Sequence, residues 1–215
     1  RFAAGAAAGV RYDVDPRDRA DLVRSVRTAA QTADLVVVAA HAHESTSGAG
    51  NDRRPPRFLV DLFHEAVEHG ANLGVVTGPH VLRGAEIHCG TPILYGLGSL
   101  FLELGSGLGV EPDLARALGS DWAELTPSEQ MTRLLPLPGH WFDSAVARAS
   151  FRDAMCEELR LHPIELTRNA STRVQGWPSP ASPEGTERIL QQFRDDCAVL
   201  EQSVALEEGT AVLRP

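Results

Sequence analysis

The chain has 215 residues, 43% of them apolar and 23% charged, and a formal net charge of −9. That size and composition suit one large folded domain or two small ones, and exclude a disordered tail, a collagen-like chain and a disulfide-dense miniprotein. The negative charge argues against a general binder of nucleic acid or anionic membrane, which repel it, and no stretch reaches the roughly 18 apolar residues of a membrane helix. Asp15-Pro16 reads as a helix start, with an acidic cap and Pro at the first helical position. Ala20, Leu22, Val23, Val26, Ala29 and Ala30 then recur at helical spacing across residues 17–32. Residues 35–40, Leu-Val-Val-Val-Ala-Ala, read as a short strand buried on both faces, as in the sheet of an α/β fold.

That strand delivers His41-Ala42-His43-Glu44, followed by a polar, glycine-containing stretch and Pro55-Pro56. Phe58, Leu59, Leu62, Phe63, Ala66 and Val67 place a second amphipathic helix over 58–69, stopped by Gly70. Residues 73–76 form the next buried strand, ending at Thr77-Gly78-Pro79-His80. Residues 85–88 and 92–95 read as a strand pair about Cys89-Gly90, with Gly96-Leu97-Gly98-Ser99 after it. Residues 105–140 are irregular, with short helical patches. Residues 142–152 and 157–166 read as a hairpin, 183–200 as a helix, and 204–206 with 211–213 as a last hairpin turning at Glu208-Gly209. The division expected is 1–104 as part of an α/β domain, 105–141 as an irregular insertion, and 142–215 as a tail completing the same domain. Strand, polar loop, helix, strand, polar loop is α/β grammar, in which ligands bind just past the carboxyl ends of the strands. Both histidine loops stand at such ends.

All 20 basic residues are arginine. Without lysine, Schiff-base chemistry and the P-loop phosphate grip are excluded. The cysteines, Cys89, Cys156 and Cys197, form no CxxC pair, so a zinc knuckle is not indicated; a reduced compartment fits, as does one disulfide plus a free thiol. No G-x-S-x-G elbow supports serine catalysis. His41 and His43 point the same way in an extended segment, and imidazole with a neighbouring carboxylate suits Zn, Mn or Fe. The plain alternative is a pair of surface histidines. His80, pinned beside Pro79, reads alone as a hydrogen-bonded structural residue, but two strands ending in histidine loops converge on one site. His64 and His69 fall on the polar face of their helix, His88 in an exposed turn, and Asp195-Asp196 on a solvated helix face. His140-Trp141 reads as packing or as an aromatic pocket wall, and Trp177 as a lid or loop anchor.

The run Gly78-Pro79-His80-Val81-Leu82-Arg83-Gly84-Ala85-Glu86-Ile87, then Gly90-Thr91-Pro92-Ile93-Leu94-Tyr95-Gly96-Leu97-Gly98-Ser99-Leu100-Phe101, resembles the signature of the CapA family of capsule and poly-γ-glutamate biosynthesis proteins. The strand ending at His41 and the tail Arg160-Leu161-His162-Pro163-Ile164-Glu165-Leu166 resemble it as well. The resemblance implies a fold similar to calcineurin-like metallophosphoesterases: a four-layer α/β/β/α sandwich, of which this chain supplies the C-terminal half with its C-terminal helix and β-hairpins. It implies His41 and His80 as ligands of a divalent metal (Mn, Fe or Zn), with two metals in the full-length protein. It implies Glu44, with His43, as acid/base or supporting groups. It implies Arg83, Glu86 and Ser99 as substrate-side positions, Arg83 either gripping an anion or pairing with Glu86 or another carboxylate. Thr77 stands where the pattern has its first histidine, and Ser99 where it has Asn. The opening Arg1-Phe2-Ala3 lacks Met and a leader pattern, and the superfamily's bridging aspartate belongs upstream, so a missing N-terminal half is the expected partner. The activity implied is a metal-dependent hydrolase or transferase on a small, peptide or polymeric substrate carrying phosphate or amide groups. The alternatives are a metal-assisted peptide epimerase and a non-catalytic assembly protein with a degenerate metal site.

Overall fold

The computed structural model describes residues 10–47, 51–102, 113, 124–126, 129, 138–168 and 174–215. Most of the stretch expected to be an irregular insertion, 105–141, lies outside them, as do residues 1–9. Helix α1, Pro16–Ala30, starts as its sequence requires: the Asp15 carboxylate accepts from the backbone N–H of Arg17 (2.8 Å), and Pro16 occupies the first turn. Helix α2, Arg57–Glu68, buries Leu59, Phe63, Ala66 and Val67, a stripe at i, i+4, i+7 and i+8. Fully burying Leu59 or Phe63 contributes about 1.5–3 kcal/mol each. The chain leaves α2 through Gly70 at φ +111°, where a Cβ would sit 2.8 Å from that of Ala30.

Strands β1 (Val37–His41), β2 (Leu73–Thr77), β3 (Ala85–His88) and β4 (Thr91–Leu94) form one sheet in the order β1-β2-β4-β3. β1, β2 and β4 run parallel; β3 is antiparallel to β4. The crossover between β1 and β2 carries α2, the arrangement that parallel neighbours require. A second, antiparallel sheet holds β5 (Asp143–Arg152), β6 (Met155–Leu166), β9 (Thr210–Leu213) and β8 (Ala205–Glu207) in that order, and β7 (Pro178–Pro180) pairs with β6. Three of the hairpins turn on two residues of positive φ: Cys89-Gly90, Asp153-Ala154 and Glu208-Gly209. That is the turn whose twist matches the strands it joins. A single 3-10 turn, Gly139–Phe142, leads into β5, so Phe142 precedes the strand that the sequence pattern assigned it to. Helix α3, Pro183–Ala198, is capped by the Ser182 hydroxyl, which accepts from Gly185 N–H at 3.0 Å.

Two cores hold the layers. On one face of the first sheet, Val36, Val38, Val76, Ile93 and Tyr95 meet Val26 of α1 and the buried stripe of α2. On the other face, Ala85 and Leu94 meet Ala145, Leu159, Leu161, Ala211 and Leu213 of the second sheet, and Ile189, Leu190, Phe193 and Cys197 of α3 fill the same core. The far face of the second sheet is polar, with Arg160 and Arg214 sharing Glu158 and Glu207. The described residues thus form an α/β arrangement of two sheets, with α1 and α2 outside the first. No helix among them is long and apolar enough to cross a membrane. The three cysteines are free thiols: Cys89 exposed, Cys156 and Cys197 buried. Burial pushes the Cys197 thiol up to about 12, and its sulfur accepts from Ala85 N–H at 3.2 Å.

One expectation is corrected here. The strand that carries the first histidine loop is buried on one face only. Val36 and Val38 point into the core, but Leu35 is 39% exposed and Val37 is 50% exposed. β1 is the edge of its sheet, and the second sheet does not reach across it among the described residues. The apolar run expected to be buried on both faces is thus, among the described residues, an edge strand covered on one face.

Candidate functional site

The three parallel strands end side by side, and each delivers part of one cluster. His41, the last residue of β1, is in register with Thr77, the last residue of β2. Past β1 comes His43, past β2 comes His80, and past β4 comes Ser99. Gly78, at φ +112°, lets the second loop run against the first: a Cβ there would lie 3.2 Å from the backbone of Ala42. Ala42 N–H donates to the Thr77 carbonyl at 2.9 Å, which extends the pairing one step into the loops.

The three imidazoles converge. His41 Nε2 lies 3.2 Å from His43 Nε2, with ring centroids 5.0 Å apart and nearly edge to face. His43 and His80 stand 5.8 Å apart, and Trp141 stacks on His80 at 5.1 Å. Two of the rings are oriented from behind. Thr77 Oγ1 lies 3.2 Å from His41 Nδ1, while the same hydroxyl is directed at the Ala40 carbonyl at 3.5 Å. With its proton on that carbonyl, the hydroxyl offers a lone pair to Nδ1–H, and we assign the free ring lone pair of His41 to Nε2. Ser99 Oγ lies 3.0 Å from His80 Nδ1. Partial burial, followed by the neighbouring His43 and His41, lowers the His80 pKa and so favours its neutral form.

A second set of residues holds the loops without touching the rings. The Asn51 side-chain carbonyl accepts from His80 N–H at 2.9 Å, and Tyr12 OH donates to the Ser45 carbonyl at 3.0 Å. Arg83 is fully buried beneath the first loop; its Nε donates to the Asp52 carbonyl at 2.8 Å and its Nη2 to the Glu44 carbonyl at 3.0 Å. Its Nη1 and Asp52 Oδ1 are buried without a hydrogen bond, Oδ1 lying 3.9 Å from Arg83 Nη2. Burial lowers the Arg83 pKa, partly offset by Asp52 and Glu44. For Asp52, burial works to raise the pKa, but hydrogen bonds from Ser47 and Thr46, with the Arg83 charge, outweigh it and hold the carboxyl low.

These positions revise several expectations. Arg83 is neither an exposed anion grip nor a partner of Glu86; its guanidinium bonds to loop carbonyls and stands 3.9 Å from the Asp52 carboxylate, the other pairing that was expected. Glu86 accepts from Tyr95 OH at 2.5 Å and pairs with His64 Nε2 at 2.8 Å, on the α2 side of the sheet and in contact with none of the three histidines. Glu44 lines a neighbouring groove with Tyr12 and Phe58. Ser99 acts on His80, and Thr77, read as the loss of a histidine, acts on His41. His64 and His88, read as polar-face and exposed residues, stack at 3.7 Å with rings 5° from parallel, and His88 Nε2 is buried. Asp196 is buried against Arg53 (2.7 Å) instead of solvated. Asn51 lies in the polar stretch after the first histidine loop, and only its φ of +51° and its placement in the fold mark it as a support for His80.

As donors, the cluster consists of imidazole nitrogens. Two nitrogens bound about 2.0–2.1 Å from one tetrahedral ion stand roughly 3.3–3.4 Å apart, close to the 3.2 Å between His41 Nε2 and His43 Nε2. Threonine and serine hydroxyls behind the rings are the kind of outer support that orients ligating histidines. Among the described residues, no three His, Cys, Asp or Glu side chains are arranged to hold an ion by themselves.

Comparison with known proteins agrees with the resemblance carried by the central motif. Residues 3–103 match the family described as bacterial capsule synthesis protein PGA_cap. Two proteins of Sinorhizobium fredii (strain NBRC 101917 / NGR234), the uncharacterized proteins y4sH and y4uA, are each 29% identical over 235 residues. The alignment covers 99% of this chain and 48% of either relative, so the chain spans about half the length of the curated relatives it matches.

Proposed function

We propose that the loops after β1, β2 and β4 form one wall of a metal-dependent active site in a capsule-synthesis protein of the CapA type. In this reading the rest of the ligand sphere, and the remaining layer of a four-layer sandwich, come from residues outside this chain. The observation that supports it is the pair of Nε2 atoms 3.2 Å apart on His41 and His43, with His80 beside them and hydroxyls behind His41 and His80.

His41 and His80 would hold the ion, His43 contributing the second nitrogen of the close pair. A bound divalent ion supplies Lewis acidity and a water of lowered pKa. The chain's own residues prepare for this. Thr77 fixes the ring of His41 so that Nε2 faces inward. Ser99 does the same for His80, whose lowered pKa keeps it in the neutral form that ligation needs. Trp141 covers one face of His80 and keeps water from that side. The substrate class is an anionic molecule with phosphate or amide groups, acted on by hydrolysis or group transfer.

The test is calorimetric titration of a protein of the relatives' full length with Zn²⁺ and with Mn²⁺, repeated with His41→Ala and His80→Ala. Binding of one ion per chain, weakened at least tenfold in both variants, is the expected result. No binding to the parent, or binding indifferent to both substitutions, would overturn it. In a protein of the relatives' full length, cleavage of an anionic ester or amide supports hydrolysis. Solvent deuterium entering a peptide without cleavage would replace hydrolysis with epimerisation. Metal binding with neither would leave an assembly role.

A further inference from the structure

A second concavity lies behind this wall. It encloses about 490 Å³ between the segment that follows His80, the 3-10 turn that carries Trp141, the ends of β5 and β6, and α3. Its lining combines an apolar patch, Val81, Leu82 and Ile189, with a polar side that includes Arg53, Arg168 and Arg188 beside Asp143 and Glu165.

The three arginines are not equivalent. Arg188 is committed to Asp143 (2.8 Å) and Glu165 (2.8 Å), and its pKa is raised chiefly by the hydrogen bond to Asp143. Arg53 is committed to Asp196 and to Gln192. Arg168 has neither a carboxylate nor a hydrogen-bond acceptor among the described residues. Its guanidinium carbon sits 4.6 Å over the Phe142 ring, and Gly139 leaves room for it: a Cβ at Gly139 would meet Arg168 Nη2 at 2.5 Å. The cation is thus held flat by a ring on one side and a bare backbone on the other, with its donor edge unspent.

We propose that this cleft binds an organic carboxylate, with the head group on Arg168 and the apolar stem along Val81, Leu82 and Ile189. The single uncommitted guanidinium favours a monoanion with an apolar body over a dianion. Asp143, Glu165 and Asp196 already balance Arg188 and Arg53 with one negative charge over, and Arg168 brings the wall to neutrality. One carboxylate then satisfies Arg168, whereas a phosphate dianion adds a second negative charge beside three carboxylates. The inference needs no metal and stands apart from the histidine cluster.

The probes are hexanoate, hexanol and inorganic phosphate, titrated into the whole chain and followed by calorimetry. Hexanoate should bind, more tightly than phosphate, and hexanol should not. Arg168→Gln should weaken hexanoate about tenfold or more, the worth of a charge-assisted pair. Gly139→Ala keeps the charge but pushes the guanidinium from its seat, and should also weaken binding while leaving the melting profile close to the parent's. Equal binding of hexanol, tighter binding of phosphate, no binding of hexanoate, or hexanoate binding unchanged in Arg168→Gln would each overturn the assignment.

Discussion

Replacing Arg83 by methionine tests whether the first histidine loop is held from below. The substitution keeps the stem that packs near Gly96 and deletes the guanidinium. It leaves the part-buried bonds to the Glu44 and Asp52 carbonyls without their donor, and each group left unsatisfied costs at most about 1–3 kcal/mol. It also removes a fully buried cation whose Nη1 makes no hydrogen bond, a relief of similar size to one such group. The balance is a loss of roughly 1–3 kcal/mol, or about 2–12 °C in melting temperature for a chain of this length. Urea unfolding and thermal melts read the stability, and the imidazole resonances of His41 and His43 read the loop. Arg83→Lys retains the charge but not the two-pronged reach, and should fall between parent and methionine variant. A methionine variant melting within about 2 °C of the parent, with unshifted histidine resonances, would refute the reasoning.

Ser99→Ala should leave the fold intact, because only a hydroxyl is lost, yet weaken metal binding by about 10–100-fold through a misoriented His80; calorimetry decides it. Asp196 carries a pH dependence of definite sign. Burial raises its pKa from 3.8 to about 6 despite Arg53, so between roughly pH 4 and 6 the folded chain binds more protons than the unfolded one and stability falls as pH rises. Asp196→Asn should flatten that decline, worth of order 2–3 kcal/mol, in denaturation curves taken across the window. Gly84→Ala would set a Cβ 2.7 Å from the Asp196 carbonyl oxygen and 2.9 Å from Cys197 N, both backbone atoms of α3, and should lower stability by about 1–3 kcal/mol in a thermal melt.

Much of the fold was legible because local chemistry is decisive where it is strong. Asp15-Pro16 fixed the start of α1, the i, i+4, i+7 stripe fixed α2, and Cys89-Gly90 and Glu208-Gly209 marked hairpin turns. β7 escaped because Pro178-Ser179-Pro180 has no strand pattern and pairs only through what β6 offers it. The one-sided burial of β1 escaped because an edge strand and a central strand read alike when the run is uniformly apolar. At the site, the histidines announced themselves by type and by position after strands. Their supports did not. Thr77, Ser99 and Asn51 are ordinary residues whose part depends on three loops meeting, and Arg83 looked like a ligand grip because its burial is a property of the fold.

The open flank of β1 has a practical corollary. Among the described residues no strand pairs with the outer side of Val37–His41, and a strand added there in parallel would need a crossover of a dozen or more residues or another molecule. Until such a neighbour arrives, a row of peptide groups and two uncovered aliphatic side chains, Leu35 and Val37, face outward together. Concentrated preparations of this chain should therefore be prone to stick by that flank, and a charged side chain at position 37 should keep them dispersed.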